Sequence, residues 1–349
     1  MIGRLGSRRF LGSAAQARQL IYSEYGDPAK VVTYREEPLK SSLEDQEVHI
    51  KWQAAPINPA DINQIQGVYP VKPPMPAVAG SEGFGIVEAI GSAVKTVKVG
   101  DHVIPAKSGL GTWRSDAILG ETHVFKIDAS LAPEYKATLQ VNPPTAYRML
   151  KDFVDLKPGD TVIQNGANSA VGQAVIQICR ARDLKSVNVI RKRPDEAAQK
   201  RLEDELRGLG ADVVLTEDRI SRDYRNHNDN VRLALNCVGG RSSLLLAMTM
   251  SHGGVMVTYG GMSKQPLSIP TSSLIFKDTR FAGFWMSRWY EQAENLEERH
   301  AMYKELGDWM KAGKLRHPKI EIKRLSEHAN ALEKAQIDHS CKQVFAPNA

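Results

Sequence analysis

The 349 residues are 42% hydrophobic and 25% charged, enough apolar material for two domains of ordinary size with a core in each. No apolar run approaches the roughly 18 to 20 residues that span a bilayer, so no membrane insertion is expected. The three cysteines, Cys179, Cys237 and Cys341, stand far apart without paired spacing, which argues against a disulfide framework and a cysteine zinc lobe and for a reducing compartment.

The first 20 residues hold Arg4, Arg8, Arg9 and Arg18, two serines and no acid, the pattern of a mitochondrial transit peptide ending somewhere near residues 12 to 21. Setting those four cations aside brings the net charge from +6 to +2. The basic balance then reads as an address, and no nucleic-acid partner is expected. Val48 to Ala54 alternates, and Gly83 to Ile90 and Gly100 to Ile104 read as further short strands between glycine turns, with six prolines from Pro56 to Pro76 punctuating the interval. This is a β-rich module. Thr161 to Gly172 (TVIQNGANSAVG) is an apolar strand running into small residues and then a helix, Ala174 to Ala181. A second strand, Ser186 to Ile190, ends in Arg191, Lys192 and Arg193. Helical sequence from Pro194 to Leu209 stops at Gly210. Ala211 to Leu215, Val231 to Asn236, Gly253 to Tyr259 and Arg280 to Trp285 read as four more strands. Strands alternating with helices imply a doubly wound parallel sheet, an α/β fold.

The strand, small-residue turn and helix at Thr161 to Ala181 let a pyrophosphate approach the positive end of a helix. Where an enzyme using NAD carries an acid for the ribose 2′-hydroxyl, this chain carries three cations, which suit the 2′-phosphate of NADPH. The glycine pattern is degraded, since only Gly166 and Gly172 are glycines. An ordinary strand-to-helix turn followed by a solvated basic cluster is the other reading of these residues.

Ala54 to Asp61 (AAPINPAD), Gly80 to Gly85 (GSEGFG) and Val99 to Pro105 (VGDHVIP) resemble the GroES-like domain of medium-chain dehydrogenases/reductases. Ile62 to Tyr69 (INQIQGVY), Gly109 to Arg114 (GLGTWR), Val141 to Leu150 (VNPPTAYRML), Leu235 to Gly240 (LNCVGG) and Thr258 to Pro266 (TYGGMSKQP) are similar to the zinc-free branch of mitochondrial trans-2-enoyl thioester reductases, within the quinone oxidoreductase-like group. The resemblance covers nearly the whole chain beyond the leader. It implies a transit peptide over 1–20, a GroES-like catalytic domain over 21–144 and 295–349, and a Rossmann NADPH-binding domain over 145–294, with a cleft between the two domains. It also implies a homodimer and a place in the mitochondrial matrix. Its zinc-dependent cousins need cysteine and histidine ligands. This chain has no cysteine before Cys179, and Ser81 stands where the zinc branch has histidine.

Without a Lewis acid, reduction relies on hydride delivery and a protein hydrogen-bond donor where negative charge develops. In a 2-enoyl thioester, hydride adds to C3 and leaves an enolate, whose oxygen must be stabilised while C2 is protonated. The resemblance places the catalytic tyrosine on Tyr69, whose phenol suits both tasks; packing in a loop beside Pro70 is the alternative. The resemblance further implies that Asn142 lies near the nicotinamide and that Asn168, Ser169, Ala170 and Val171 form the phosphate turn. Arg191, Lys192 and Arg193 would then hold the adenosine phosphate, Tyr259, Gly260, Gly261, Met262, Phe284, Trp285 and Met286 line the cofactor site, and Lys342 reach the cofactor from the other domain. The chain departs from the family at Ala170, usually glycine, and at Gln140 and Pro144 around Asn142. The expected activity is NADPH-dependent reduction of a trans-2-enoyl thioester on acyl carrier protein or CoA, in fatty acid synthesis. A quinone or enone reductase is the alternative in the same superfamily, and a nucleotide- or RNA-binding protein that kept the fold is the non-enzymatic one.

Overall fold

A computed structural model describes residues 16–224, 229–338 and 340–349. The chain forms two compact units, one from residues up to 141 with 290–299 and 317–349, the other from 142–289 with 300–316. The second unit therefore takes in 142–144 and 300–316, which the expected boundaries had placed in the GroES-like domain. The reason lies in the helix Leu296–Lys311. Its Glu305 accepts a hydrogen bond from Tyr147 at 2.5 Å, and its Trp309 meets the Tyr147 ring, so its later turns belong with the helix Asn142–Asp152.

The first unit opens with β1 (Gln16–Tyr22), β2 (Thr33–Pro38), β3 (Glu47–Pro56), β4 (Ala77–Val78) and β5 (Phe84–Ile90), then β6 (His102–Pro105), β7 (Asp116–Gly120) and β8 (Val124–Lys126). Strand β1 lies between β2 and β4 and exchanges backbone hydrogen bonds with Trp113 and Ala79 through Leu20. Its Leu20 and Tyr22 are fully buried. Of the leader expected over 1–20, residues 16–20 lie within this strand, and the rest of it lies outside the described residues. Strand β3 follows the period-two rule, with Val48, Ile50 and Trp52 buried and Lys51 exposed. Those side chains pack on Val87, Val103, Ala117 and Val124.

The second unit carries β9 (Thr161–Gln164), β10 (Lys185–Ile190), β11 (Val213–Thr216), β12 (Val231–Asn236), β13 (Val255–Thr258) and β14 (Arg280–Gly283). They form one parallel sheet in the order β11-β10-β9-β12-β13-β14, with the order reversing beside β9. This is the doubly wound arrangement expected from the sequence, and ligands bind such sheets at the carboxyl ends of the strands around the reversal. Helix Ala170–Ala181 fills the crossover between β9 and β10. The strands are buried on both faces. Val187, Ala234 and Met256 pack with Leu246 on one side, and Ile190 and Val214 pack with Ile176 and Leu206 on the other.

The chain then returns to the first unit with β15 (Ile320–Lys323) and β16 (Lys342–Phe345), which extend the sheet through β3, β5, β6 and β8. Phe345 is fully buried and meets Trp113 edge-on at 5.2 Å. No helix among the described residues is long and apolar enough to cross a membrane.

Candidate active site

In the second unit, the turn after β9 is shaped by two glycines. Gly166 adopts φ +60, and a Cβ there would lie 2.5 Å from Cys237 Sγ. At Gly172 a Cβ would lie 2.6 Å from the carbonyl oxygen of Ala167, so only glycine lets the helix start this close to the strand. Ser169 caps the helix, its hydroxyl accepting from Gly172 N at 3.1 Å. The first-turn N–H groups beyond that cap, those of Ala170 and Val171, have no carbonyl within the helix to bind and carry the positive end of its dipole. Ala170 is tolerated where the family has glycine because it begins the helix with ordinary geometry. Asn168 stands in the turn itself, its carbonyl held by Gln173 Nε2 at 3.0 Å.

At the end of β10, Arg191 and Lys192 are exposed and Arg193 is half-buried. Burial and the neighbouring Arg191 charge hold the Arg193 guanidinium below its usual range. Like charges forced together in this way are stabilised by a shared anion. Asp218, after β11, feels the Lys192 charge. The next acidic side chain in sequence, Asp195, is committed to capping the helix Glu196–Gly208, accepting from Ala198 N at 2.7 Å.

A buried amide ladder joins the strand ends. Asn165 Nδ2 donates to Asn236 Oδ1 at 2.8 Å and to Ser242 Oγ at 3.0 Å, and Asn165 Oδ1 accepts from Cys237 N at 2.8 Å. Gln164 Nε2 donates to Gly172 O at 2.9 Å and to Asn188 Oδ1 at 2.8 Å. Sequence reasoning missed these residues, although an amide closing an otherwise apolar strand, as in IQN and LALN, was a signal for them. The Tyr259 hydroxyl is buried against Cys237 and Ser169 without a well-formed hydrogen bond, and burial raises its pKa well above 10. Gly260, Gly261 and the exposed Met262 follow it past the end of β13. Phe284 N donates to Thr258 O at 2.9 Å and the ring meets Phe153 edge-on, followed by half-buried Trp285 and buried Met286. Asn142 is buried at the start of its helix. The second unit thus contains all the expected cofactor residues apart from Lys342.

Tyr69 and Lys342 belong to the first unit. Tyr69 follows the helix Pro59–Ile65 and is half-exposed. Just before it, Gly67 takes φ +77, and a Cβ there would strike the Tyr25 ring at 2.7 Å. Lys342 Nζ donates to Asn58 Oδ1 at 2.5 Å and to Ile57 O at 3.2 Å. Asn58 in turn donates through Nδ2 to Glu82 Oε2 at 2.7 Å, and its backbone N–H reaches Asp61 Oδ2 at 2.9 Å. Glu82 Oε1 accepts from Val141 N at 2.8 Å. Asp61 and Glu82 are fully buried, and burial lifts both carboxyls; Asp61 is pushed up to about 6 against the opposing pull of Asn58 N–H, Ser81 and Lys342. Burial lowers the Lys342 ammonium. Two of the three Lys342 donors are therefore spent inside this network. The buried Thr112 hydroxyl donates to Glu82 O at 2.7 Å and is committed there. Gln140, one of the departures from the family, braces Pro105 O through Nε2 at 2.9 Å. Cys179 and Cys237 are buried thiols. Among the described residues, no cluster of three or more His, Cys, Asp and Glu side chains is placed to hold a metal.

Residues 44–128 match the alcohol dehydrogenase GroES-like domain and residues 170–304 match the zinc-binding dehydrogenase family. A mitochondrial enoyl-acyl-carrier-protein reductase of Caenorhabditis elegans is 54% identical over 345 residues, covering 99% of each chain. The Homo sapiens enzyme of that name is 46% identical over 95% of this chain and 89% of its own. Among solved structures, the Etr1p/NADP/crotonyl-CoA complex superposes with a TM-score of 0.88 at 34% identity, over 95% of this chain and 100% of that one. The mitochondrial 2-enoyl thioester reductase Etr1p/Etr2p heterodimer from Candida tropicalis gives 0.86 at the same identity, with the same coverage. A NADPH:quinone reductase from Bacillus thuringiensis, at 21% identity and a TM-score of 0.82 over 95% of this chain and 99% of that one, shares the fold. The chain belongs to the mitochondrial enoyl-acyl-carrier-protein reductase family.

Proposed function

We propose that this chain reduces trans-2-enoyl thioesters, carried on acyl carrier protein or CoA, to the saturated thioesters with NADPH, in fatty acid synthesis in the mitochondrial matrix. The observation that carries the reading is the end-to-end match to enoyl reductases, with a phosphate turn and a cation cluster standing at neighbouring strand ends. The residues present fit NADPH: the Gly172 approach and the free first-turn N–H groups suit a pyrophosphate, and Arg191 with Arg193 suits a 2′-phosphate.

NADPH, when bound, supplies a hydride to C3 of the substrate. Tyr69 donates a hydrogen bond to the thioester oxygen as negative charge develops there and serves as the proton source for C2. Asn142, Tyr259 to Met262 and Phe284 to Met286 orient the nicotinamide half. Arg191, Lys192 and Arg193 select the phosphorylated cofactor. Lys342 is held by Asn58 so that its remaining N–H points from a fixed place. The transit peptide ends before Gln16, because β1 is needed in the fold. The homodimer forms through β14, an outer strand of the sheet, beside the exposed Ile275 and Phe276.

The test is NADPH oxidation with trans-2-enoyl-CoA, compared with a quinone and with no acceptor. Turnover of the quinone and none of the thioester would replace this reading with the quinone reductase.

A further inference from the structure

Asn236 ends β12 with its side chain fully buried, and the amide ladder of the second unit meets on it. Its Oδ1 accepts from Asn165 Nδ2 at 2.8 Å, from Gly239 N at 3.0 Å and from Val238 N at 3.2 Å. Its Nδ2 donates to Thr258 Oγ1, on the last residue of β13, at 3.1 Å. Two of the three donors are backbone N–H groups, so the oxygen must face them and the NH₂ must face β13. One side chain thereby ties the residue after β9 to the ends of β12 and β13.

The turn that Asn236 gathers in, Cys237 to Gly240, carries a second loop. Tyr259 N donates to Asn236 O at 3.0 Å, Met262 N to Cys237 O at 2.9 Å and Ser263 N to Val238 O at 2.9 Å. Ser263 Oγ donates to the same Val238 oxygen at 2.6 Å, and Gly240 N donates back to Pro266 O at 3.0 Å. Gly239 takes φ +82, and a Cβ there would lie 2.8 Å from Gln265 O, so the loop lies directly on the turn. Residues 259–263 belong to no helix or strand, and the carbonyls of Asn236, Cys237 and Val238 are what anchors them.

We propose that Asn236 is a positioning residue of the cofactor site: it sets the turn Cys237 to Gly240, and through that turn the Tyr259 to Met262 loop that orients the nicotinamide half of NADPH. This rests on the reading of that loop given above. In a buried strand end an unpaired N–H is costly, so a single acceptor that collects three donors leaves the turn one favourable arrangement. The adenosine half has fastenings that do not involve Asn236. Ser169 Oγ holds Gly172 N, Gln164 Nε2 holds Gly172 O and Asn188, Ala167 N donates to Val189 O at 3.2 Å, and Arg193 N donates to Gln199 Oε1 at 3.0 Å.

The experiment compares NADPH with 2′,5′-ADP, which has the adenosine and its phosphates and no nicotinamide. Asn236→Ala leaves the N–H groups of Val238 and Gly239 without their acceptor, so it should weaken NADPH about tenfold or more by calorimetric titration and leave 2′,5′-ADP within about twofold of the parent. Asn236→Asp keeps the acceptor and lets the Thr258 hydroxyl donate to its second oxygen, so it should bind NADPH within about threefold of the parent. An equal loss of both ligands, unchanged NADPH binding in Asn236→Ala, or a loss in Asn236→Asp as large as that in Asn236→Ala overturns the proposal. In the unaltered protein without cofactor, amide hydrogen exchange at Tyr259, Met262 and Ser263 should be slowed about a hundredfold or more against unstructured chain, because the loop is set before the cofactor arrives. Exchange there at the unstructured rate refutes the assignment even if both variants fail to fold. An unaltered chain that binds no NADPH refutes the cofactor reading and the proposal with it, whereas an equal loss of both ligands in the variants refutes the proposal alone.

Discussion

Replacing Asp61 by Asn should change how stability depends on pH. Asp61 is fully buried among Asn58, Ser81, Glu82, Lys342 and Tyr22, and burial raises its carboxyl from 3.8 to about 6. A folded pKa above the unfolded one means that the folded chain holds the proton more tightly. The stabilisation from this group is therefore fully present below about pH 4 and is lost as pH rises through 6. At about 1.4 kcal/mol per pH unit, the loss between those limits is about 3 kcal/mol. An asparagine does not titrate, so its stability relative to the parent should climb by about 3 kcal/mol from pH 4 to pH 8. A constant offset accompanies this, because Asp61 Oδ1 has no partner among the described residues and an amide NH₂ placed there would be unsatisfied, at about 1–3 kcal/mol. The assay is urea unfolding of both proteins at pH 4.5, 6 and 8. Two curves that run parallel across the range, within about 0.5 kcal/mol, would refute the reasoning, since Asp61 would then be ionised throughout. With the curves converging as argued, the carboxyl sits in the network at a cost to stability near neutral pH, which is common where a group is kept for function.

Tyr69→Phe should slow single-turnover hydride transfer to trans-2-enoyl-CoA by about 10²-fold with NADPH binding nearly intact, and a rate within threefold of the parent would return Tyr69 to a packing role. Arg193→Gln should weaken NADPH by about tenfold or more and leave NADH unchanged, read from the two KM values, because one charge-assisted hydrogen bond contributes roughly 1.5–3 kcal/mol. Gly172→Ala should lower the melting temperature, by about 1–3 kcal/mol of stability, and weaken cofactor binding, since its Cβ would sit 2.6 Å from Ala167 O; unchanged titration and melting would contradict that contact. A chain beginning at Gln16 should fold and one beginning at Ser23 should not. Losing buried Leu20, Ile21 and Tyr22 removes on the order of 5 kcal/mol, comparable with a whole domain's margin, and circular dichroism melting of the two chains checks it.

The Rossmann strands were legible because each is a short apolar run that must be buried on both faces, and the signal is local: β12 was expected and found at Val231–Asn236, and β10 began one residue before the expected Ser186. The glycine-shaped turn after β9 and the cations at Arg191 to Arg193 after β10 follow from the same stretch of chain, since two neighbouring parallel strands joined by a helix already bring their ends to one sheet edge. Strand β1 was hidden, because Gln16–Tyr22 has the leader's composition and becomes a strand only by pairing with Thr33–Pro38 and Ala77–Val78. Single residues such as Lys342 and Asp61 could be placed on motifs, but their chemistry could not be read there. What Lys342 does depends on Asn58, 284 positions away, and what Asp61 does depends on the burial that lifts its carboxyl. Strand type and strand order depend on hydrophobic pattern, which a sequence carries in its own order. Charge state and hydrogen-bond partnership depend on the dielectric and the neighbours that only the folded chain supplies.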